Sequence, residues 1–147
     1  MYYLDTSVLA AYYCPEPLSE KVEKLVLKTT RPCLSSLTEV ELASAISRKI
    51  RKKNLSPEDG NKMFNQFQTH LKESFFRLIS VDDRHYQTAK NWILQFAVPL
   101  KTLDAIHLVI AAEGDFTLLT ADKQLDISAK YFGIDVVNVL AALSENL

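Results

Sequence analysis

The chain has 147 residues and a formal net charge of −1, with 48% hydrophobic and 24% charged residues. That length predicts one domain over residues 1–147, with a core large enough to need no disulfide staples, and the near-neutral balance means that any nucleic-acid contact must come from a local patch. No apolar run approaches the ~18 residues of a membrane span, the N-terminus lacks a basic region followed by an apolar stretch, and Cys14 and Cys33 form no CxxC pair, so the expectation is a soluble cytoplasmic protein whose cysteines pack as small hydrophobes.

Strand-like and helix-like segments alternate along the chain. Short apolar runs predict strands near residues 2–4, 33–35, 75–80, 116–119 and 135–139, brief as expected for strands buried on both faces. Helices are expected near 6–13, 17–28, 37–53, 57–72, 83–96, 103–113, 122–131 and 139–144. Leu37, Val40, Ala43, Ile46 and Ile50 fall at helical spacing, as do Met63, Phe64, Phe67 and Leu71. Pro57 after Ser56 suits a first turn, and Gly114 and Gly133 suit helix ends. Asp115 falls in the turn before a strand. This alternation predicts an α/β fold, a parallel sheet covered on both faces by helices.

Four carboxylates fall where a strand ends or the next helix begins: Asp5, Glu41, Asp104 and Asp122. The carboxyl ends of parallel strands form the ligand face of such a sheet. Two bare charges ~4 Å apart cost on the order of 4 kcal/mol at an effective dielectric near 20. A cluster of this kind stays ionised when a cation neutralises it, and oxygen-only donors favour Mg²⁺ or Mn²⁺.

Each acid also has a structural reading. Asp5 suits a helix N-cap, and an aspartate after the first strand also occurs in phosphotransferases of the haloacid dehalogenase type, which want a second Asp where this chain has Ser7. Ser36-x-x-Glu39 and Thr38-x-x-Glu41 both fit a capping box, so local logic leaves Glu39 and Glu41 as rivals. Asp104 opens the segment Leu103 to Ala112, too apolar to be anything but buried, and an unpaired acid there is expensive. Thr102 and Thr120 could cap the helices carrying Asp104 and Asp122, placing both acids in a first turn where the helix dipole favours them. Asp126, a turn further on, is either a second-layer partner or a surface acid. His107 is expected to be a core histidine bonded to a backbone group rather than a metal ligand, and His70 and His85 have no matching partners. No Gly-rich phosphate loop or GxSxG elbow occurs.

The segments Leu4-Asp5-Thr6-Ser7, Ser35-Ser36-Leu37-Thr38-Glu39-Val40-Glu41-Leu42, Leu103-Asp104-Ala105-Ile106-His107-Leu108 and Thr120-Ala121-Asp122 resemble, in order and spacing, the motifs of PIN-domain nucleases, and especially the VapC toxins of prokaryotic toxin–antitoxin pairs. The resemblance implies a Rossmann-like three-layer sandwich around a five-stranded parallel sheet and Mg²⁺- or Mn²⁺-dependent RNA cleavage. It places metal binding and catalysis on Asp5, Glu41, Asp104 and Asp122, with Glu41 rather than Glu39 in the second motif. Asp5 and Asp104 are then the expected direct ligands, with Thr6 and Thr120 as polar neighbours and His107 as a packing residue. It further implies a VapB-like antitoxin that packs on the early helices and reaches the acidic pocket, and a homodimer.

The one dense basic run, Arg48, Lys49, Arg51, Lys52 and Lys53, ends the helix that carries Glu41. Cations at a helix C-terminus are favourable in themselves, and the same residues are candidates for RNA phosphate contact. Tyr12, Tyr13, Phe64 and Phe67 are expected in the core. Two other readings stand beside the toxin: a stand-alone PIN nuclease for RNA processing, and a non-catalytic α/β module that uses its acids as caps.

Overall fold

A computed structural model describes residues 1–141. Five strands, β1 (Tyr2–Leu4), β2 (Cys33–Ser35), β3 (Arg77–Ile79), β4 (Thr117–Thr120) and β5 (Val136–Asn138), form one sheet in the order β3-β2-β1-β4-β5. Every neighbouring pair is parallel, with Tyr3 opposite Cys33 and Leu118, and Leu119 opposite Val137. Seven helices connect the strands among the described residues: α1 (Thr6–Tyr13), α2 (Ser19–Leu27), α3 (Ser36–Arg51), α4 (Pro57–Lys72), α5 (Asp83–Ile93), α6 (Thr102–Glu113) and α7 (Lys123–Tyr131).

Side chains alternate across a strand, and here the alternation sorts the core into two halves. Leu4, Leu34 and Leu119 point to a cluster with Val8, Leu9, Val22, Leu42, Ile46 and Phe67, under α1 to α4. Tyr3, Cys33 and Leu118 point to the opposite cluster, with Ala105 to Ala111, Phe116 and Leu125, under α5 to α7. The result is the three-layer α/β sandwich that the pattern predicts. Both cysteines are buried and free, and Tyr13 and Phe67 are core residues, with Tyr12 and Phe64 packed against that core. No helix among the described residues is long and apolar enough to cross a membrane.

Local chemistry explains the element boundaries. The Ser56 side chain accepts from Asp59 N–H at 3.1 Å, with Pro57 in the first turn of α4. α5 opens on Asp82 in a capping box with His85 and stops at Ile93, short of the expected 96, where Phe96 takes a φ of 55°. His85 therefore has partners after all: its ring meets Asp82 and, at 3.1 Å, Glu113 at the end of α6. His70 also has one, the Tyr13 hydroxyl at 2.5 Å. α6 is buried from Ala105 through Ala111, as its apolar sequence demands. Gly114 ends it for steric reasons, since a Cβ there would stand 2.1 Å from the Phe116 ring. Gly133 follows α7 with a φ of 70°, the left-handed conformation expected of a helix-ending glycine. The predicted helix at 139–144 lies largely outside the described residues, of which 139–140 form a turn.

Candidate active site

The strand order places a topological switch beside β1. The chain runs outward through β2 and β3, then returns to pair β4 with the other side of β1. Ligands of open α/β sheets bind at the carboxyl edge of such a point. Asp5 directly follows β1 and Thr120 ends β4, so these two residues flank the switch.

Asp5 is only 4% exposed. It is both the N-cap of α1 and a buried acid of the sheet edge, so its two readings were never exclusive. One carboxylate oxygen accepts from Val8 N–H at 3.0 Å and from the Ser7 hydroxyl at 2.6 Å. The other accepts from the Thr120 hydroxyl. Burial pushes the Asp5 carboxyl above its ordinary value, while the donors from Ser7, Thr120 and Val8 pull the other way. Ser7 and Thr120 also tie in the strand β4 side: Ala121 N–H donates to Ser7 Oγ at 3.0 Å, and Asp122 N–H to Thr120 Oγ1 at 3.0 Å. Thr120 is thus the last residue of β4 and not a helix cap. Asp122 caps α7 itself, accepting from Leu125 N–H at 3.0 Å.

The rivalry between Glu39 and Glu41 resolves through a cap that neither predicted box contains. Ser35 caps α3, and its box partner is Thr38; Ser36 instead accepts from Val81 N–H at 3.3 Å. Both glutamates are free of capping duty, and Glu41 turns to the sheet edge. The Thr6 hydroxyl donates to Glu41 Oε1 at 3.0 Å, and the same oxygen meets His107 Nε2. Burial works to raise the Glu41 carboxyl, but the His107 hydrogen bond and charge, with Thr6, outweigh it and the net shift is downward.

His107 is 2% exposed, and its partners are side chains, not the expected backbone group. Its Nδ1 lies 2.6 Å from the Tyr3 hydroxyl, which donates to Ser35 Oγ at 2.9 Å. A buried chain thus runs Ser35–Tyr3–His107–Glu41–Thr6, joining β2, β1, α6, α3 and α1. Burial pushes the Tyr3 phenol far above its ordinary value. Sequence reasoning missed this network. The one available signal was the pairing of a strand tyrosine with a histidine on an otherwise apolar helix, and the partners are 104 residues apart.

Asp104 is half-buried in the first turn of α6, which Lys101 enters without a side-chain cap. Among the described residues, no donor or cation is bonded to its carboxylate. Burial raises the Asp104 carboxyl, and the negative charges of Asp122, Glu41 and Asp5 add to the rise against the pull of His107. Asp104 therefore feels the charge of the other three acids, and among the described residues only His107 offsets it. Asp126 is not among them; it is buried, accepts from Asn138 Nδ2 at 3.1 Å and pairs with Lys130 at 3.1 Å, joining α7 to β5.

A cleft of about 820 Å³ opens beside this edge. Thr6, Ser7, Glu41 and Asp122 line one end, and Arg48, Lys49 and Lys52 the other. The remaining two cations of the run lie elsewhere: Arg51 donates to Ser47 Oγ at 2.7 Å, and Lys53 lines a neighbouring groove. The donor set at the acidic end is all oxygen and net negative, which suits a hard divalent cation. Among the described residues, no three His, Cys, Asp or Glu side chains are already gathered as a coordination sphere.

An open parallel sheet in this order, with Asp5 and Thr120 at the carboxyl edge beside the switch point, defines a doubly wound α/β domain. More narrowly, the chain belongs to the PIN-domain family, whose model matches residues 2–131. Solved structures of similar fold include the Mycobacterium tuberculosis VapC20, a sarcin-ricin loop cleaving toxin, at 12% identity, TM-score 0.69, covering 87% of this chain and 95% of that one. They also include FitAcB from Neisseria gonorrhoeae at 21% identity and TM-score 0.67 over 95% of this chain and 99% of that one. DNA-bound VapBC from Salmonella typhimurium is similar at 19% identity and TM-score 0.68, covering 94% and 97%. No curated protein sequence matches the chain significantly.

Proposed function

We propose that this protein is a divalent-metal-dependent endoribonuclease and the toxin half of a toxin–antitoxin pair, its one PIN domain filling residues 1–147. The observation that carries the reading is Asp104, a half-buried acid without a bonded partner among the described residues, raised first by burial and then by the charges of Asp122, Glu41 and Asp5. Capping accounts for Asp5 and Asp122, and bonds to Thr6 and His107 account for Glu41, but nothing in the fold calls for an acid at Asp104.

Asp5, Glu41, Asp104 and Asp122 would hold Mg²⁺ or Mn²⁺. When bound, the ion lowers the pKa of a water and polarises a phosphoryl oxygen. The chain's own residues do the rest. Ser7, Val8 and Thr120 fix the Asp5 carboxylate, and His107 with Thr6 fixes that of Glu41. Thr6 and Thr120 keep the polar lining in register with the acids. Arg48, Lys49 and Lys52 offer phosphate contacts along the cleft wall, with Arg51 and Lys53 further out. In-line hydrolysis leaves 5′-phosphate and 3′-hydroxyl ends.

A VapB-like antitoxin is the proposed partner, supported by the toxin–antitoxin complexes among the similar structures. A homodimer is supported by Tyr86 in the first turn of α5 and by Leu94 and Phe96 just beyond its end, which stand 52%, 57% and 83% exposed. The working location is the cytoplasm, where RNA is the substrate. The test is cleavage of a structured RNA by the purified protein. Activity should require Mg²⁺ or Mn²⁺, stop with EDTA and vanish in Asp5→Asn, which deletes charge and keeps shape. Full activity of that variant would sink the assignment.

A further inference from the structure

The cleft's basic wall contains an acid that the catalytic reading does not use. Glu16 lies in the turn between α1 and α2 and pairs with Lys49 at 2.8 Å. Glu16 and Lys49 side chains are 27% and 29% exposed, and both line the cleft that holds Glu41 and Asp122 and also the groove next to it. Glu41, Ser44, Ala45, Arg48, Lys49 and Lys52 recur at helical spacing on one face of α3, so this face leads from the acids to the cations over ~12 Å between Glu41 and Lys49.

The backbone under Glu16 is rigid. Pro15 and Pro17 flank it, each with a fixed φ. Glu16 N–H donates to Ser19 Oγ at 2.9 Å, the Ser19 hydroxyl donates to Cys14 O at 3.0 Å, and Ser19 N–H donates to Glu16 O at 3.0 Å. The turn therefore presents one carboxylate to the basic wall, with only the side chain free to move. Both partners are about a quarter exposed, so water screens the pair only in part, but another anion can reach Lys49 from the cleft. A carboxylate on an ammonium is a good stand-in for a phosphate oxygen.

We propose that Glu16 is a phosphate mimic: it occupies Lys49 and competes with RNA phosphate for that cation, so Lys49 contributes little to the native chain's hold on substrate. Glu16 is a positioning and specificity residue that acts through Lys49 and takes no part in the chemistry. The proposal rests on the reading of the cleft as the path of RNA.

The test uses the full chain in EDTA, where cleavage is silent, with a fluorescein-labelled oligouridine read by anisotropy across a salt series. Glu16→Gln should tighten binding and steepen the log–log salt slope by ~0.7, one extra phosphate contact on a single strand. Lys49→Gln should leave the wild-type slope nearly unchanged yet cancel the gain in the Glu16→Gln background. An additive effect of Lys49→Gln in both backgrounds, or an unchanged slope in Glu16→Gln, overturns the proposal. Arg48→Gln with Lys52→Gln tests the underlying reading separately and should flatten the slope by ~1.4, two contacts. If that pair flattens the slope and Glu16→Gln does not move it, the mimic alone falls. If neither moves it, or the wild-type chain does not bind the oligonucleotide, both fall.

Discussion

Replacing Thr120 by Val removes one hydroxyl that two parts of the candidate site share. In the native chain this buried group donates to Asp5 and accepts from Asp122 N–H. Valine has nearly the same shape, so no cavity forms and the cost is the two lost hydrogen bonds. Each partner left unsatisfied costs ~1–3 kcal/mol. The Asp122 end belongs low in that range, because Asp122 is exposed and water can reach it. The sum is about 2–5 kcal/mol, which at ~2–4 °C per kcal/mol lowers the thermal midpoint by about 4–20 °C.

Thr120→Ser is the control: it keeps the hydroxyl, loses one buried methyl and costs about 1 kcal/mol. Thr120 also pulls the Asp5 carboxyl downward against burial, so in Thr120→Val the folded-state value moves further above the unfolded one. A carboxyl raised in the folded state binds protons more tightly folded than unfolded, and stability then falls as pH rises through that window. The deficit of Thr120→Val should therefore be smallest in acid and grow toward neutral pH. The assay is thermal unfolding of the three proteins across pH in EDTA, with RNA cleavage measured alongside. A Val variant as stable and active as the Ser variant would refute the shared-hydroxyl account.

Asp104→Asn should make the metal-free protein more stable at neutral pH. Burial and the charges of Asp122, Glu41 and Asp5 raise the native carboxyl, so its ionisation costs stability as pH rises above the unfolded value, and the amide escapes that loss. Melting curves in EDTA would show the difference vanish in acid, and a variant less stable at neutral pH contradicts the repulsion argument. His107→Leu should leave Tyr3 and Glu41 without their shared partner, at ~1–3 kcal/mol for each buried group. Because His107 helps hold the Glu41 carboxyl down, carbon-detected NMR titration should find Glu41 shifted upward in the variant. An unmoved Glu41 would return His107 to mere packing.

Composition and periodicity carried the architecture because short apolar strands and long amphipathic helices are local signals. They placed every strand to within two residues, and α5 was overrun only because nothing local marks the bend at Leu94. The acids were legible as positions but not as roles. Asp5 caps α1 and is also bonded across the sheet edge to Thr120, a double duty that a choice between two readings could not express. Glu41 needed the true cap of α3, and Ser35 reads as a strand residue until β2 is seen to run straight into the helix. The bond of His107 to Tyr3 and Glu41 depends on β1 lying against α6 and α3, which no local window contains. The basic run was visible as charge, but only helix phase and the flanking turn decide that Arg48, Lys49 and Lys52 share the cleft and that Glu16 sits on one of them.

The central claim is that these four carboxylates are a cation site and not a set of helix caps. Thermal unfolding of the full chain during a Mn²⁺ titration tests it most directly. A ligand held only by the folded state adds RT ln(1 + [L]/Kd), ~2.7 kcal/mol at a hundred times Kd, which corresponds to a rise of about 5–10 °C. The account predicts that rise in the wild-type protein and its loss in Asp104→Asn. An unchanged midpoint at millimolar Mn²⁺, or the same rise in Asp104→Asn, would contradict it.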